Sequence, residues 1–151
     1  MDTILEKIKS KALSHLSRRE HSVQELRSKL SQHFNTPDLI ERVLNELASS
    51  QLLSNSRFLE SRIRHRLAQG YGALKIMQEL TQSHGFKKSE VSPFLTEQAA
   101  ETEESELARL IQKKYAQFKL DQPQEKAKLI QKLQQRGFAY STIKRYFDQK
   151  S

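Results

Sequence analysis

The sequence predicts an all-α fold, an elongated, curved tandem array of three three-helix repeats. The first observation behind this is a recurring pair of apolar anchors: Leu26 and Leu30, Ile76 and Leu80, Leu129 and Leu133. Leu30 to Leu80 and Leu80 to Leu133 are steps of 50 and 53 residues. A fixed period of this size marks an array rather than one compact enzyme fold. The second observation is a further apolar residue ten or eleven positions after each pair, at Ile40, Val91 and Ile143. The third is composition. Only 4 Gly and 3 Pro punctuate 151 residues rich in Leu, Glu, Lys, Gln and Arg, which favour helix. Arrays present long continuous surfaces, and such surfaces suit polymers and filaments.

The first repeat is assigned to residues 1–53, the second to 54–100 and the third to 101–151. A first helix is expected from Thr3 to Ser17, with Ile4, Ile8, Ala12 and Leu16 in an i, i+4 stripe. Ser22 and Glu25 then form a capping box opening a helix that carries Val23, Leu26 and Leu30 and ends near Phe34. Asn35 is expected to be its left-handed stop. Thr36 and Pro37 read as N-cap and first residue of a third helix, with Ile40, Val43, Leu44 and Leu47 on one side. In the second repeat Leu59, Ile63 and Leu67 form the inner stripe of the first helix. Gly70 and Gly72 bracket Tyr71 at the turn into a helix carrying Leu74, Ile76, Met77 and Leu80, which stops at Gly85. A shorter helix follows around Val91, Phe94 and Leu95, its start open between Ser89, Ser92 and Pro93. Glu97, Glu101, Glu103, Glu104 and Glu106 then form an acidic stretch without Gly or Pro, which reads as a solvated helix continuation. Leu107, Leu110, Ile111 and Tyr115 give helical spacing. Asp121 and Pro123 open the next helix, Gly137 ends it, and Ile143, Tyr146 and Phe147 close the chain.

Chemistry-bearing patterns are few. His15, His21, His33, His65 and His84 have no HxxxH or HExxH spacing and read as surface or turn residues. Without Cys, thiolate metal sites and disulfides are excluded. There is no GxSxG turn, and Gly70-Tyr71-Gly72 lacks the third glycine of a phosphate-binding loop, so it reads as a helix stop and restart. No enzymatic activity, cofactor or metal is expected. No run of 18 apolar residues is present and the N-terminus has no signal-peptide core, so a cytoplasmic protein without a membrane span is expected. A net charge of +8 permits contact with nucleic acid without requiring it.

Four stretches resemble the RecX family of regulatory proteins. Arg19-Glu20-His21-Ser22-Val23-Gln24-Glu25-Leu26-Arg27-Ser28-Lys29-Leu30 resembles its first repeat, and Leu52-Leu53-Ser54-Asn55-Ser56-Arg57-Phe58 its junction between repeats. Gly70-Tyr71-Gly72-Ala73-Leu74-Lys75-Ile76-Met77-Gln78-Glu79-Leu80 resembles the second repeat, and Arg136-Gly137-Phe138 the third. Order and spacing agree over nearly the whole chain. Ser54 and Asn55 stand where the family usually has two Asp, and Ala73 where it usually has Pro. Ser54 and Asn55 can still cap a helix. The resemblance implies structural roles for Ser22, Glu25, Leu26, Leu30, Gly70, Tyr71, Gly72, Ile76, Glu79, Leu80, Gly137 and Phe138.

It also implies a non-enzymatic regulator that binds the RecA nucleoprotein filament on DNA and inhibits its recombinase and coprotease activities, hence a place in recombination, DNA repair and the SOS response. A monomer lying along the filament groove, with secondary contact to DNA, is the expectation. A helical DNA-binding module, or a repeat adaptor not acting on RecA, is the alternative.

Basic residues are the candidate contacts. Arg57, Arg62, Arg64 and Arg66 share one expected helix, Arg62 and Arg66 flanking one side of its apolar stripe and Arg57 and Arg64 the other. Their stems can simply cover apolar surface. Alternatively one flank faces phosphates or carboxylates, which the planar guanidinium pairs bidentately. Lys75, then Arg18 and Arg19, would extend the strip.

Overall fold

The computed structural model describes residues 3–150. Among the described residues there are eight helices and no strand: α1 (Ile4–Arg18), α2 (Val23–Ser31), α3 (Pro37–Ser49), α4 (Asn55–Ala68), α5 (Ala73–Gln82), α6 (Lys88–Lys114), α7 (Pro123–Gln135) and α8 (Tyr140–Lys150). None of the helices is long and apolar enough to cross a membrane. The chain divides into two compact units between Ser61 and Arg62, within α4.

In the first unit α1, α2 and α3 pack on one another. Ile8, Ala12, Leu26, Leu30, Ile40, Val43, Leu44, Leu47 and Leu53 form its core. Thr3 opens α1 with a full capping box, its hydroxyl accepting from Glu6 N–H while the Glu6 carboxylate accepts from Thr3 N–H. Ile4, expected in the inner stripe, is instead 52 % exposed, because it is the first residue of the helix and lies at the end of that stripe.

Two further helix ends differ from the sequence reading. The left-handed stop expected at Asn35 is absent. Among the described non-glycine residues only Gln51 has positive φ, at 64°. Gln51 follows α3, where its N–H donates to the Ala48 carbonyl and Leu52 N–H to the Leu47 carbonyl. This two-bond closure is the Schellman arrangement that glycine usually serves. α2 ends earlier than expected, at Ser31, with Phe34 N–H donating to the Leu30 carbonyl at 3.0 Å.

In the second unit α5 packs on α6, and α8 packs on both α6 and α7. The apolar helix expected around Val91 and the one containing Leu107 are a single 27-residue helix, α6, so the expected count of nine helices becomes eight. Lys87 stands at its N-cap, not Ser89 or Ser92, and the Glu90 carboxylate accepts from Lys87 N–H at 2.9 Å. Pro93 therefore lies inside the helix instead of opening it.

All six anchors and Ile40, Val91 and Ile143 are buried. A correspondence between repeats appears in the backbone. Phe34, Phe86 and Phe138 donate their N–H groups to the carbonyls of Leu30, Leu80 and Leu133, at 3.0, 3.1 and 3.1 Å. The second anchor of each pair thus both fills the core and terminates its helix on a phenylalanine.

Candidate partner-binding surface

The candidate cations fall into both units. In the first, Arg18 closes α1 and is exposed. It has no acidic partner among the described residues. Arg19 follows it and makes a bidentate pair with Glu25, at 3.0 and 2.6 Å. Burial pushes the Glu25 carboxyl up, but the Arg19 hydrogen bonds and charge outweigh this and hold it below the ordinary carboxylate range. Only half of the expected capping box at α2 forms. Ser22 Oγ accepts from Glu25 N–H at 3.0 Å, but the Glu25 carboxylate turns to Arg19. Asn55 supplies a second cap: its Oδ1 accepts from Val23 N–H at 2.9 Å. Ser54 Oγ accepts from Arg57 N–H at the start of α4. Both departures from the acidic pair of the family therefore still cap helices. The Arg57 guanidinium donates to Glu20 at 3.0 Å.

His21 corrects the surface reading of the histidines. It is 1 % exposed. Nδ1 contacts the Arg19 carbonyl at 3.1 Å and Nε2 contacts Lys29 Nζ at 2.9 Å. A neutral ring fits both, donating from Nδ1 and accepting at Nε2. The His15 ring lies 5.7 Å away and its Nε2 is buried without a hydrogen-bond partner. Burial lowers the affinity of both rings for a proton, and nearby Lys29 adds to this.

The second unit gathers the family glycines into one joint. Gly72 N–H donates to the Arg136 carbonyl at 2.8 Å, and Leu74 N–H to the Gly137 carbonyl at 3.0 Å. The first turn of α5 thereby meets the end of α7: free donors of one helix meet free acceptors of another. A Cβ on Gly72 would stand 2.4 Å from Gly137 C and O, and one on Gly137 would stand 2.4 Å from Lys75 Cβ. Gly70 and Gly137 also carry the positive φ that closes α4 and α7. Arg136 locks the same place from its side chain, donating to the carbonyls of Gly70 and Gln69 at 2.8 and 3.0 Å.

Tyr71 sits among cations here. Arg136 Cζ lies 4.9 Å from its ring centroid, Lys75 Nζ 5.5 Å and Arg66 Cζ 5.9 Å. Arg66, Tyr71, Lys75, Ile76 and Glu79 line a cavity of about 230 Å³. Arg66 pairs with Glu79, Nε to Oε2 at 2.8 Å and Nη2 to Oε1 at 2.9 Å. Burial raises the Glu79 carboxyl, but the Arg66 hydrogen bonds and charge more than reverse this and hold it below the ordinary carboxylate range. Arg64 and Lys75 are exposed without an acidic partner among the described residues. Arg62 is partly buried.

Glu103 also departs from the sequence reading. Within the acidic stretch it is buried, at 8 % exposure. One carboxylate oxygen accepts from Ala73 N–H at 2.8 Å and the other from the Thr142 hydroxyl at 3.3 Å. A carboxylate on the first turn of α5 satisfies an orphan donor and is attracted by the positive end of the helix dipole. Glu104 pairs with Arg145 and Glu106 with Arg109. Two of the five carboxylates, Glu104 and Glu106, are therefore ion-paired and a third, Glu103, is buried and hydrogen-bonded, so the stretch is not simply solvated. Sequence reasoning missed Arg136 and Glu103 as working residues. Charge beside the Gly137 stop and apolar spacing through 103, 107 and 111 were the available signals. Among the described residues no group of three His, Asp or Glu is placed to hold a metal.

Comparison with known proteins covers the same regions. Residues 9–47 match the family model for the first three-helix domain of RecX, and residues 101–147 that for its third three-helix domain. A protein of Pseudomonas fluorescens named regulatory protein RecX is 36 % identical over 146 residues, covering 96 % of this chain and 92 % of the relative. One of Ralstonia nicotianae with the same name is 37 % identical over 142 residues, covering 91 % and 84 %. The crystal structure of RecX from Lactobacillus salivarius aligns with a TM-score of 0.78 at 21 % identity, covering 96 % of this chain and 95 % of that one. A second structure, of regulatory protein RecX, aligns with a TM-score of 0.76 at 24 % identity over 95 % and 71 %.

Proposed function

The chain belongs to the RecX family of regulatory proteins, and from that premise we propose that it binds the RecA nucleoprotein filament and inhibits it without catalysing a reaction of its own. The observation that carries the reading is identity above one third, sustained over more than nine tenths of the chain, to proteins named as regulators. The repeats 1–53, 54–100 and 101–151 are part of this proposal, and the family matches at 9–47 and 101–147 support the outer two.

Arg18, Arg64 and Lys75 are the first contacts to test, because no internal carboxylate competes for them among the described residues. Arg19, Arg57 and Arg66 are held by Glu25, Glu20 and Glu79, so each would have to share or leave a carboxylate to engage a partner. Arg62 completes the set. Acidic side chains on the recombinase are the complement that such separated cations recognise.

The test is RecA ATPase on single-stranded DNA, titrated with the parent protein and with the Arg18→Gln, Arg64→Gln, Lys75→Gln triple variant. The parent should inhibit. The folded triple variant should need a higher concentration for half inhibition. A parent that leaves ATPase and strand exchange unchanged at saturating concentration would overturn the reading.

A further inference from the structure

α5 turns one side to the core and leaves the other bare. Its buried residues are Ile76 and Leu80, and it packs on α6. At about 100° per residue, Leu74, Gln78, Gln82 and Lys75 fall within one arc on the side opposite that pair. All four are exposed. Leu74, at 62 %, is the most exposed large apolar side chain among the described residues. Its backbone is nevertheless fixed, since Leu74 N–H donates to the Gly137 carbonyl at 3.0 Å. A leucine held in place on a helix and turned to solvent contributes little to the fold and is ready to be covered.

Beside Leu74 the face is basic and walled by an aromatic ring. Tyr71, at the entry to α5, lines the cavity of about 230 Å³ together with Lys75 and Glu79. Glu79 is the one acidic residue of α5, and it is already committed to Arg66 through bonds of 2.8 and 2.9 Å. Lys75 has no carboxylate among the described residues, and its Nζ lies 5.5 Å from the Tyr71 ring centroid. Arg136 Cζ lies 4.9 Å from the same centroid. Arg136 spends its hydrogen bonds on the uncharged carbonyls of Gly70 and Gln69, so its charge is not cancelled there. Two positive charges without a counter-ion thus flank one ring, next to an exposed leucine.

We propose that the outward face of α5 docks a segment of the recombinase in which an apolar side chain lies beside an acidic one, the apolar group covering Leu74 and the carboxylate entering the Tyr71–Lys75 cavity. The inference rests on the reading above and gives that partner a docking face centred on Leu74 and Tyr71, neither of which is among the cations named there. The charge argument is complementarity: Lys75 and Arg136 lack internal counter-ions, and Gln78 and Gln82 leave no carboxylate on the exposed arc to repel an acidic partner. The apolar argument is that protein interfaces are centred on a desolvated apolar or aromatic anchor with polar groups around it. Nucleic acid fits less well, because its backbone is met by cations and hydrogen-bond donors and gains nothing from a leucine.

The experiment compares the full chain and single variants by the concentration that half-inhibits RecA ATPase on single-stranded DNA. Circular dichroism and urea unfolding first establish that each variant is folded. Leu74→Ala should raise that concentration about 5- to 30-fold. Gln78→Glu, which sets a carboxylate in the middle of the face, should raise it as well, and Gln78→Lys should not. Leu13→Ala is the control, a 38 % exposed leucine on α1 whose loss should leave inhibition unchanged. Fluorescence anisotropy of labelled oligo-dT without recombinase should be the same for Leu74→Ala and the parent. A parent that inhibits, beside folded Leu74→Ala or Gln78→Glu variants that inhibit equally well, would overturn this docking face and leave the reading above standing. A parent that does not inhibit would remove both. Equal losses in Leu74→Ala and Leu13→Ala, or loss of oligo-dT binding in step with loss of inhibition, would also overturn the proposal, the latter by making the face a nucleic-acid surface.

Discussion

Gly72→Ala should destabilise the second unit although nothing about its backbone conformation demands glycine. Gly72 has φ −90°, an angle every residue adopts. In open space the substitution would therefore stabilise by about 0.4–1 kcal/mol, through reduced freedom of the unfolded chain. The structure predicts the opposite sign, since the added Cβ would stand 2.4 Å from Gly137 C, Gly137 O and Phe138 N. These are backbone atoms, which no rotamer change removes. The joint can hold and bear overpacking of about 1–3 kcal/mol. Alternatively it can open and lose the two bonds at Gly72 and Leu74, at about 1 kcal/mol each. The cheaper route sets the cost at about 2 kcal/mol, which after the chain-entropy gain leaves a loss of about 1–2 kcal/mol. Urea unfolding followed at 222 nm gives the total, and amide exchange at Leu74 reports the joint itself. Gly85→Ala is the control: Gly85 has φ +73° and open space around it, so its cost is conformational and Leu74 exchange should not change. A Gly72→Ala protein as stable as the parent, with Leu74 equally protected, would refute the joint.

Leu80 is fully buried and Leu74, on the same helix, is 62 % exposed. Leu80→Ala should cost roughly 2–5 kcal/mol, and Leu74→Ala no more than about 0.5 kcal/mol in urea unfolding; equal losses would remove Leu80 from the repeat core. The histidine pair makes stability depend on pH in a definite direction. Both folded rings bind protons less readily than the unfolded chain. The unfolded state therefore gains protons as pH falls below about 6.5, and stability drops from there until the depressed folded values are passed. Melting temperatures between about pH 7.5 and 5 should fall in the parent and fall less in His15→Gln, His21→Gln, and identical slopes would rule out this linkage.

Much of the fold was legible because its signals are local. The apolar anchors, the Ser22 hydroxyl cap, Pro37 and Pro123 at helix starts, and glycines at helix ends all act within a few residues. The misses come from competition between local signals and contacts made elsewhere. Asn35 tolerates positive φ, but the carbonyl of Leu30 closes α2 on Phe34 without it. Gln51 has no intrinsic preference for positive φ. It adopts φ 64° because Leu52 and Leu53 both donate to the Leu47 carbonyl and hold the turn. Glu25 had two available partners, and the Arg19 guanidinium displaced the backbone N–H of Ser22, since a bidentate ionic pair is the stronger bond.

The candidate surface was less legible for the same physical reason. An arginine flanking an apolar stripe has one appearance in sequence, whether its head is free or paired. Arg66 is tied to Glu79 thirteen residues on, and Arg57 to Glu20 thirty-seven residues back, while Arg64 between them has no such partner. Only the fold separates them. Charge totals conceal a second distinction. Dividing the chain at residue 90 spreads the excess over both parts, whereas dividing it after Glu106 places all of it in the last 45 residues. That second division carries physical meaning because α6 runs unbroken through it. Its middle carboxylates at Glu103, Glu104 and Glu106 are consumed by the α5 N-terminus, Arg145 and Arg109. Two of those pairings neutralise Arg109 and Arg145, and Arg136 is tied to the Gln69 and Gly70 carbonyls, so the eight lysines carry most of the excess charge of these last 45 residues.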